Sequence, residues 1–358
     1  MRYRLSIILL LFIGLIFSNE SLYAFLPYVK NYTRDEYNAA SQNWSIGRDS
    51  NGIMYIANHN GLLVYDGCNW SLHPLKGRTI VRSVFVDSDD RIFVGAYEEF
   101  GYFVKNEYGD LQYTSLADLL KPGLLHNQQV WSITRIGDDI YFQSFGGLFI
   151  YKKDGTVEFR KESIQLFMFH NINGNIYTSR NKRLSKFDGT NFITEEESPH
   201  KFHIKSIMPY KGNSMLVLTE TDGIWQYQDG TYTKWQNDID NELKWANPNR
   251  TTITKDSLLL IGTVLNGLYA LDTKGKLIWH LNSENGLQNN TVLSISTDRE
   301  DNIWLALDNG VSVVYNTRFL RVNRWNNKNI GSIYDVAFYE DDLYVSTNQG
   351  LFSFFPLY

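Results

Sequence analysis

A glycine followed by apolar or aromatic residues recurs along most of the sequence, at nearly constant intervals. Successive glycines are 40, 46, 76, 44, 43 and 40 residues apart, and the interval of 76 accommodates two repeats with one degenerate copy between them. A fixed period of this size is the signature of a repeat architecture. The seven recognisable copies contain Gly61, Gly101, Gly147, Gly223, Gly267, Gly310 and Gly350.

Each repeat carries the pattern of four short strands. An alternating segment such as residues 292–297 is followed by an Asp-rich turn and an apolar strand such as residues 303–306. After the glycine, a third strand ends in Tyr-Asp or a related pair, and a fourth often contains a Trp such as Trp70. Four strands in about 40 residues, joined by Asp, Asn and Gly turns, predict one blade of a β-propeller.

We therefore predict an all-β fold, a β-propeller of four-stranded blades. A helical solenoid lacks support because no 3.6-residue apolar period is sustained, and an immunoglobulin-like sandwich does not repeat at fixed intervals. With the degenerate copy included, the seventh repeat ends at Tyr315, and the eighth, which contains Gly350, covers residues 330–354. We favour seven blades in residues 25–325 and the first blade of a truncated second propeller in 326–358, with a single eight-bladed ring as the alternative.

The open edge of the last blade must be covered by another strand, and we predict that residues 27–32 supply this outer strand.

The repeated glycines are interpreted as turn residues, because a tight turn between strands requires positive φ. Arg183 occupies the glycine position in the degenerate copy. Trp225 and Trp304 lie inside strands, where we expect them to pack between blades.

The N-terminus and the charge pattern restrict the compartment and the partners. Two arginines, an apolar run at residues 7–17 and Ala24 predict a signal peptide at residues 1–24 and a periplasmic protein, with a membrane anchor as the alternative. The net charge is -5 and no Lys/Arg cluster occurs, so nucleic acid is not an expected partner. Cys68 is the single cysteine, which excludes an intrachain disulfide.

Several segments resemble the opening of periplasmic two-component regulator propeller proteins, namely residues 26–32, 42–46, 52–55, 60–63 and, for a second propeller, 344–352. The resemblance implies two propellers, a triple-tyrosine domain, a transmembrane helix and a cytoplasmic histidine kinase or helix-turn-helix output. The later domains are not in this sequence, which we expect to be a fragment or truncated product. The resemblance also allows a homodimer of the full-length protein.

The motifs of catalysis are sparse. His200 and His203 form a weak metal motif, and no nucleophile elbow, phosphate loop or Cys-His pair occurs. Glu98 and Glu99 are interpreted as a solvated turn, because adjacent strand residues point to opposite sides. We predict no catalytic residue, metal site or cofactor and hence no enzyme, with a secreted propeller lyase or hydrolase acting on polysaccharide as the alternative.

The predicted function is ligand sensing for a bacterial signal-transduction or transcriptional regulator, with oligosaccharides from polysaccharide breakdown as ligands. Binding is expected in the loops at one face of the propeller, where aromatic faces, amides and an Arg suit a glycan. The alternative is that these polar residues only hydrogen-bond turn backbones. The candidate binding residues are His59, Tyr97, Glu98, His126, Trp131, Phe145, Arg250 and Asp308.

Trp131 and Arg250 open the innermost strands of two different blades. We expect both to border the mouth of the same face, where an indole stacks on a sugar ring and a guanidinium holds an acidic group. The alternative places Trp131 in the packing between blades, where its loss would affect only stability.

Overall fold

A computed structural model describes residues 26–194, 203–316, 320–321, 324–325, 328–340 and 342–354. The predicted signal peptide lies outside these residues. The described residues fall into two compact units: the larger one comprises Val29–Leu277 and Leu281–Asn316, and the smaller one comprises residues 26–28, Ile278–His280 and the described residues after Asn316. In the described part of the chain, no helix is long and apolar enough to cross a membrane.

The chain begins with short elements that precede the repeats. These are β1 (Leu26–Pro27), β2 (Val29–Tyr32) and the one-turn helix α1 (Arg34–Tyr37). Blade 1 contains β3 (Asn43–Arg48), β4 (Met54–Asn58), β5 (Gly61–Tyr65) and β6 (Trp70–His73). Blade 2 contains β7 (Val81–Val86), β8 (Ile92–Ala96), β9 (Phe100–Lys105) and β10 (Leu111–Ser115). Blade 3 contains β11 (Ser132–Ile136), β12 (Asp139–Ser144), β13 (Gly147–Tyr151) and β14 (Val157–Lys161).

The later repeats form sheets of the same kind. Blade 4 contains β15 (His170–Ile172), β16 (Asn175–Arg180), β17 (Arg183–Phe187) and β18 (Phe192–Thr194). Blade 5 contains β19 (Ile204–Pro209), β20 (Met215–Thr219), β21 (Ile224–Gln228) and β22 (Thr231–Lys234), and helix α2 (Asp240–Ala246) follows it. Blade 6 contains β23 (Pro248–Ile253), β24 (Leu259–Thr263), β25 (Leu268–Leu271) and β26 (Leu277–Leu281). Blade 7 contains β27 (Val292–Thr297), β28 (Ile303–Leu307), β29 (Val311–Val314) and, as its outer strand, β2.

The predicted propeller of four-stranded antiparallel blades is confirmed, and the chain's own N-terminal strand covers the last edge. β2 pairs antiparallel with β29, with Tyr32 opposite Val311. The strand begins at Val29, two residues later than predicted. β27 of blade 7 lies beside β3 of blade 1. Asn43 Nδ2 donates to Gly310 O at 3.0 Å, which ties blade 1 to blade 7.

The core lies between the blades. The second strands of blades 1, 2, 5, 6 and 7 are buried along their whole length, because a neighbouring blade covers each face. Trp304 of blade 7 is 5% exposed and packs with Trp70 of blade 1. Trp225 of blade 5 belongs to a cluster that includes Leu184 of blade 4. The two tryptophans therefore pack between blades as predicted.

Six of the seven repeated glycines have positive φ and lie at the start of the third strand of a repeat or directly before it. Gly101 is the exception to the predicted turn position, because it is the second residue of β9 and is not among the residues with positive φ. Gly267 and Gly310 directly precede β25 and β29, and both have positive φ, 73° and 94°. In blade 4, Asn181 and Lys182 adopt positive φ, 47° and 64°, immediately before Arg183. The degenerate copy thus keeps the left-handed turn without a glycine, and Asn is among the residues best suited to this conformation.

The prediction of a solvated turn at Glu98 and Glu99 is wrong for Glu99. Its side chain is buried, and Oε1 accepts hydrogen bonds from Phe100 N at 2.8 Å, Ser115 Oγ at 2.8 Å and Tyr113 OH at 3.1 Å. Burial raises the pKa of Glu99 more than these hydrogen bonds lower it. The outer strand of blade 2 encloses the carboxyl group, and this contact depends on the register between β9 and β10.

The described residues of the smaller unit form three separate sheets. β1 pairs with β30 (Leu320–Arg321), and β31 (Arg324–Trp325) pairs with β32 (Lys328–Asn329). The eighth repeat forms a three-stranded antiparallel sheet of β33 (Ile333–Tyr339), β34 (Asp342–Thr347) and β35 (Gly350–Phe354). It keeps the repeat geometry, since Gly350 has a φ of 136° at the start of the third strand. The division at residues 325 and 326 stays a prediction.

Candidate ligand-binding cavity

A β-bulge recurs at the second residue of the innermost strand. In blades 1, 2, 5, 6 and 7 the pairing register shifts across this residue, which leaves it without a direct partner on the second strand. Bulges redirect the side chain that they carry and are common beside functional sites. All five bulged residues line one cavity of about 450 Å³, within the size range of small-molecule sites. They are Trp44, Arg82, Lys205, Asn249 and Leu293.

Blades 3 and 4 contribute to the same cavity from equivalent places. Trp131 directly precedes β11, and His170 begins β15. Every blade of the larger unit therefore supplies a lining residue at or beside the start of its innermost strand. The cavity consequently lies on the axis around which the blades are arranged.

One wall of the cavity is aromatic. Trp44 and Trp131 meet edge to face with ring centroids 5.8 Å apart, and Trp131 stacks on Phe145 at 5.5 Å with an interplanar angle of 22°. Phe167 continues the row, 6.1 Å from Phe145. Phe145 is 41% exposed, so part of this apolar surface is open to a ligand. Aromatic faces of this kind can pack against the apolar face of a sugar ring.

Arg82 lies within the aromatic wall. Its guanidinium carbon is 3.9 Å from the Trp44 ring centroid and 5.0 Å from that of Trp131, and its Nε donates to Gln129 Oε1 at 2.9 Å. Stacking and this hydrogen bond fix the plane of the guanidinium. Arg82 Nη1 and Trp44 Nε1 are buried donors with no hydrogen-bond partner in the described structure.

The lining carries an excess of positive charge. Arg250 donates from Nη1 to Asn249 O at 3.1 Å, and burial lowers its pKa to about 10, so it stays protonated at neutral pH. Lys205 Nζ lies 2.7 Å from Glu220 Oε1, and this hydrogen bond lowers the pKa of the glutamate. Three cations, including Arg82, therefore face one carboxylate in the lining, while the whole chain has a net charge of -5.

His170 is neutral in this environment. Burial, followed by the charge of Arg250, lowers the pKa of its imidazole to about 3. A neutral imidazole has one ring nitrogen that accepts a hydrogen bond. His170 is thus one of the few groups in the lining that can accept from a ligand hydroxyl.

The low pKa of His170 predicts a pH-dependent stability. The unfolded histidine takes up a proton near pH 6.5, whereas the folded one does so near pH 3. Its contribution to the free energy of unfolding is therefore complete above about pH 6.5 and is lost as the pH falls toward 3. We expect urea denaturation between pH 7.5 and 4.5 to show a steeper loss for the native protein than for His170→Gln. Parallel curves would contradict this expectation, and the carboxylates that titrate near the acid end of the range, such as Glu99, are common to both proteins.

The eight candidate residues fall into three groups. Trp131, Phe145 and Arg250 line the cavity, so Trp131 and Arg250 border the same space. Trp131 is half-buried in the cavity wall rather than enclosed between blades. The remaining five side chains are not among its lining residues; they are His59, Tyr97, Glu98, His126 and Asp308.

These five residues lie in loops with local contacts. Glu98 Oε1 lies 3.1 Å from His126 Nδ1 and also accepts from Asn127 N, while Tyr97 OH donates to Asn127 Oδ1 at 3.1 Å. Gln42 Nε2 donates to Asp308 Oδ1, and Gln42 O accepts from the backbone N of His59 at 3.1 Å. The contacts agree with a role in ordering turns.

Sequence reasoning missed Trp44, Arg82 and His170. The sequence did contain a signal for Trp44 and Arg82. At the start of five innermost strands, the residue that lines the cavity is followed directly by a serine. These pairs are Trp44-Ser45, Arg82-Ser83, Trp131-Ser132, Lys205-Ser206 and Leu293-Ser294. His170 has no such neighbour. Of the weak metal motif, His203 lines the cavity and His200 lies outside the described residues, among which no cluster of three metal-ligating side chains occurs.

Comparisons with known proteins define the fold. No family model matches the sequence, and no curated protein matches it. A streptogramin B lyase superposes with a TM-score of 0.64 at 13% identity, covering 82% of this chain and 98% of the lyase. The WD40 propeller domain of Doa1 has a TM-score of 0.60 at 10% identity, covering 82% of this chain and 97% of that domain. These likenesses establish a β-propeller.

A third solved structure is similar over more of this chain. It is the extracellular domain of a B. thetaiotaomicron protein assigned to hybrid two-component systems, with a TM-score of 0.64 at 19% identity. The match covers 92% of this chain and 45% of that domain, so this chain spans less than half of its length. At this level of identity the likeness concerns the fold.

Proposed function

We propose that the axial cavity binds an oligosaccharide, and that the chain is the extracytoplasmic sensor part of a bacterial signal-transduction regulator. The observation that carries the proposal is the lining itself: every blade of the larger unit contributes, and the contributed side chains combine an aromatic wall with cationic and amide groups. This combination suits a sugar with polar substituents. The sequence resemblance and the fold of the B. thetaiotaomicron extracellular domain support the same role.

A ligand on the axis would contact several blades at once. Binding there would favour one arrangement of the innermost strands over others, which is the physical requirement for a sensor. The proposal includes export to the periplasm and transmission of the signal by domains that the resemblance implies beyond this sequence, in a full-length protein that the same resemblance allows to be a homodimer.

A propeller enzyme acting on polysaccharide is the rival function. The neutral His170 and the Glu220 carboxylate lie in the cavity lining and are both unprotonated at neutral pH, although their lowered pKa values make both weak bases. The two functions differ in one observable: an enzyme converts the oligosaccharide into products, whereas a sensor binds it unchanged. Calorimetric titration with a panel of oligosaccharides, combined with assays for new reducing ends and unsaturated sugars, separates them. Saturable binding without products supports the sensor, whereas product formation supports the enzyme.

Trp131→Ala and Arg250→Ala are each expected to weaken oligosaccharide binding by about 1–3 kcal/mol, through lost stacking and a lost charged hydrogen bond respectively. Affinity is measured by calorimetry, with the melting temperature of each variant recorded in parallel. A lower melting temperature for Trp131→Ala with unchanged affinity in both variants would instead indicate a structural role.

A further inference from the structure

We propose that the cavity recognises an anionic group on its ligand, a sugar carboxylate or sulfate ester, and that Arg82 is the main partner of this group. The proposal rests on the proposed function, because it names the charge class of the ligand for the same cavity. Neither Arg82 nor Trp44, which holds it, was among the candidates identified from sequence.

The first argument is the absence of a counter-charge. Partly buried arginines in the blade walls have carboxylate partners, as Arg135 has Asp87 and Arg180 has Glu162. Among the described residues, Arg82 and Arg250 have no salt bridge. The lining's one carboxylate, Glu220, is paired with Lys205. Two uncompensated cations in a shielded cavity create a positive potential that attracts and orients an anion.

The second argument is the balance of donors and acceptors. The cavity lining contains arginine, lysine and indole donors. Two of these donors, Arg82 Nη1 and Trp44 Nε1, lack any hydrogen-bond partner in the described structure. A neutral sugar hydroxyl supplies a donor along with its acceptor sites, whereas a carboxylate or sulfate group only accepts. An anionic group therefore matches this wall better than a neutral sugar does.

The third argument is preorganisation. The Arg82 guanidinium is stacked on Trp44 and held through Nε by Gln129, so its orientation is set before a ligand arrives. A planar guanidinium fits the two oxygens of a carboxylate or sulfate group, and little side-chain entropy remains to be lost. Arg250 is the second cation of the cavity and offers a further charged hydrogen bond, but no ring stacks on its guanidinium among the described residues.

The test compares ligands that differ only in charge. The probes are an oligogalacturonate and its methyl ester, a glucuronate-containing disaccharide and its methyl ester, and a sulfated galactose oligomer with its desulfated form. Affinities are measured by calorimetry at low and high salt for the native protein, Arg82→Gln, Arg82→Lys and a matched control, Arg34→Gln. Arg34 has the same charge, its side chain is 66% exposed, and it is outside the cavity lining.

We expect at least one acidic probe to bind about ten- to hundredfold more tightly than its neutral counterpart. Arg82→Gln should remove most of this difference, Arg82→Lys should restore part of it, and Arg34→Gln should leave it unchanged. The preferred pair identifies the group as carboxylate or sulfate. Melting temperatures report folding, and if Arg82→Gln does not fold, Arg82→Lys must still show reduced selectivity.

Each negative result would contradict a different part of the proposal. Equal binding of acidic and neutral probes would overturn the anionic preference and leave the sensor proposal standing. Selective binding of acidic probes that Arg82→Gln does not alter would overturn the role of Arg82. No binding of any probe would overturn this inference together with the proposed oligosaccharide function.

Discussion

Replacing Gly267 with Val is expected to lower the free energy of unfolding by about 3 kcal/mol. Gly267 has a φ of 73°, which is strained for a β-branched residue. A Cβ atom at this position would also lie 2.1 Å from Leu281 O and 2.9 Å from Asn282 Cα. Both neighbours are backbone atoms, so the clash cannot be relieved by a side-chain rotation. Urea denaturation of the purified protein gives the measurement.

Gly155→Val is the matched control for this prediction. Gly155 also has positive φ, 88°, but a Cβ atom there has no heavy atom within 4 Å. The free energy of unfolding of Gly155→Val is expected to fall by about 1 kcal/mol, from backbone strain alone. Equal losses for the two variants would show that the close approach at Gly267 relaxes in the folded protein.

Tyr32→Ala is expected to destabilise the propeller by about 3–5 kcal/mol, the usual range for removing a large buried aromatic side chain. Tyr32 is 5% exposed on the strand that completes blade 7. Its ring lies 5.1 Å from that of Trp70 in blade 1 and stacks at 6.2 Å on Trp304 of blade 7. The side chain therefore fills the seam where the last blade meets the first. Chemical denaturation measures the loss, and amide hydrogen exchange in β29 reports opening of the seam.

Tyr32→Phe separates packing from hydrogen bonding at the seam. It keeps the ring and removes only the hydroxyl, which donates to Tyr65 OH at 3.2 Å. A loss of about 1 kcal/mol or less is expected for one such hydrogen bond. If the phenylalanine variant were as unstable as the alanine variant, the stabilisation would come from the hydroxyl rather than from the buried ring.

Much of the fold could be predicted from local patterns. Alternating residues, Asp-rich turns and the recurring glycines identify strands and their order, because strand period and turn φ depend on short segments. The outer strand that closes blade 7 was also predictable, since an open edge must be covered. Glu99 was misjudged, because its burial depends on which side chains of β10 lie opposite β9.

The candidate site was predicted in part. Trp131, Phe145 and Arg250 were selected for residue type and loop position, and they do share one cavity. His59 and Asp308 were selected by the same criteria, yet neither is a lining residue. Residue type alone could not separate the two groups, since amide, acidic and histidine side chains serve turns and ligands equally well.

The sequence by itself determined the repeating unit, its four strands and the turns that join them, because these depend on interactions between residues close together in the chain. Only the tertiary structure decided which side chains meet. Arg82 and Arg250 come from blades 2 and 6, and they reach one cavity because the blades are arranged around an axis; a bulge redirects Arg82, whereas Arg250 follows the bulged Asn249. That convergence depends on blade packing across the whole ring, which no short segment encodes.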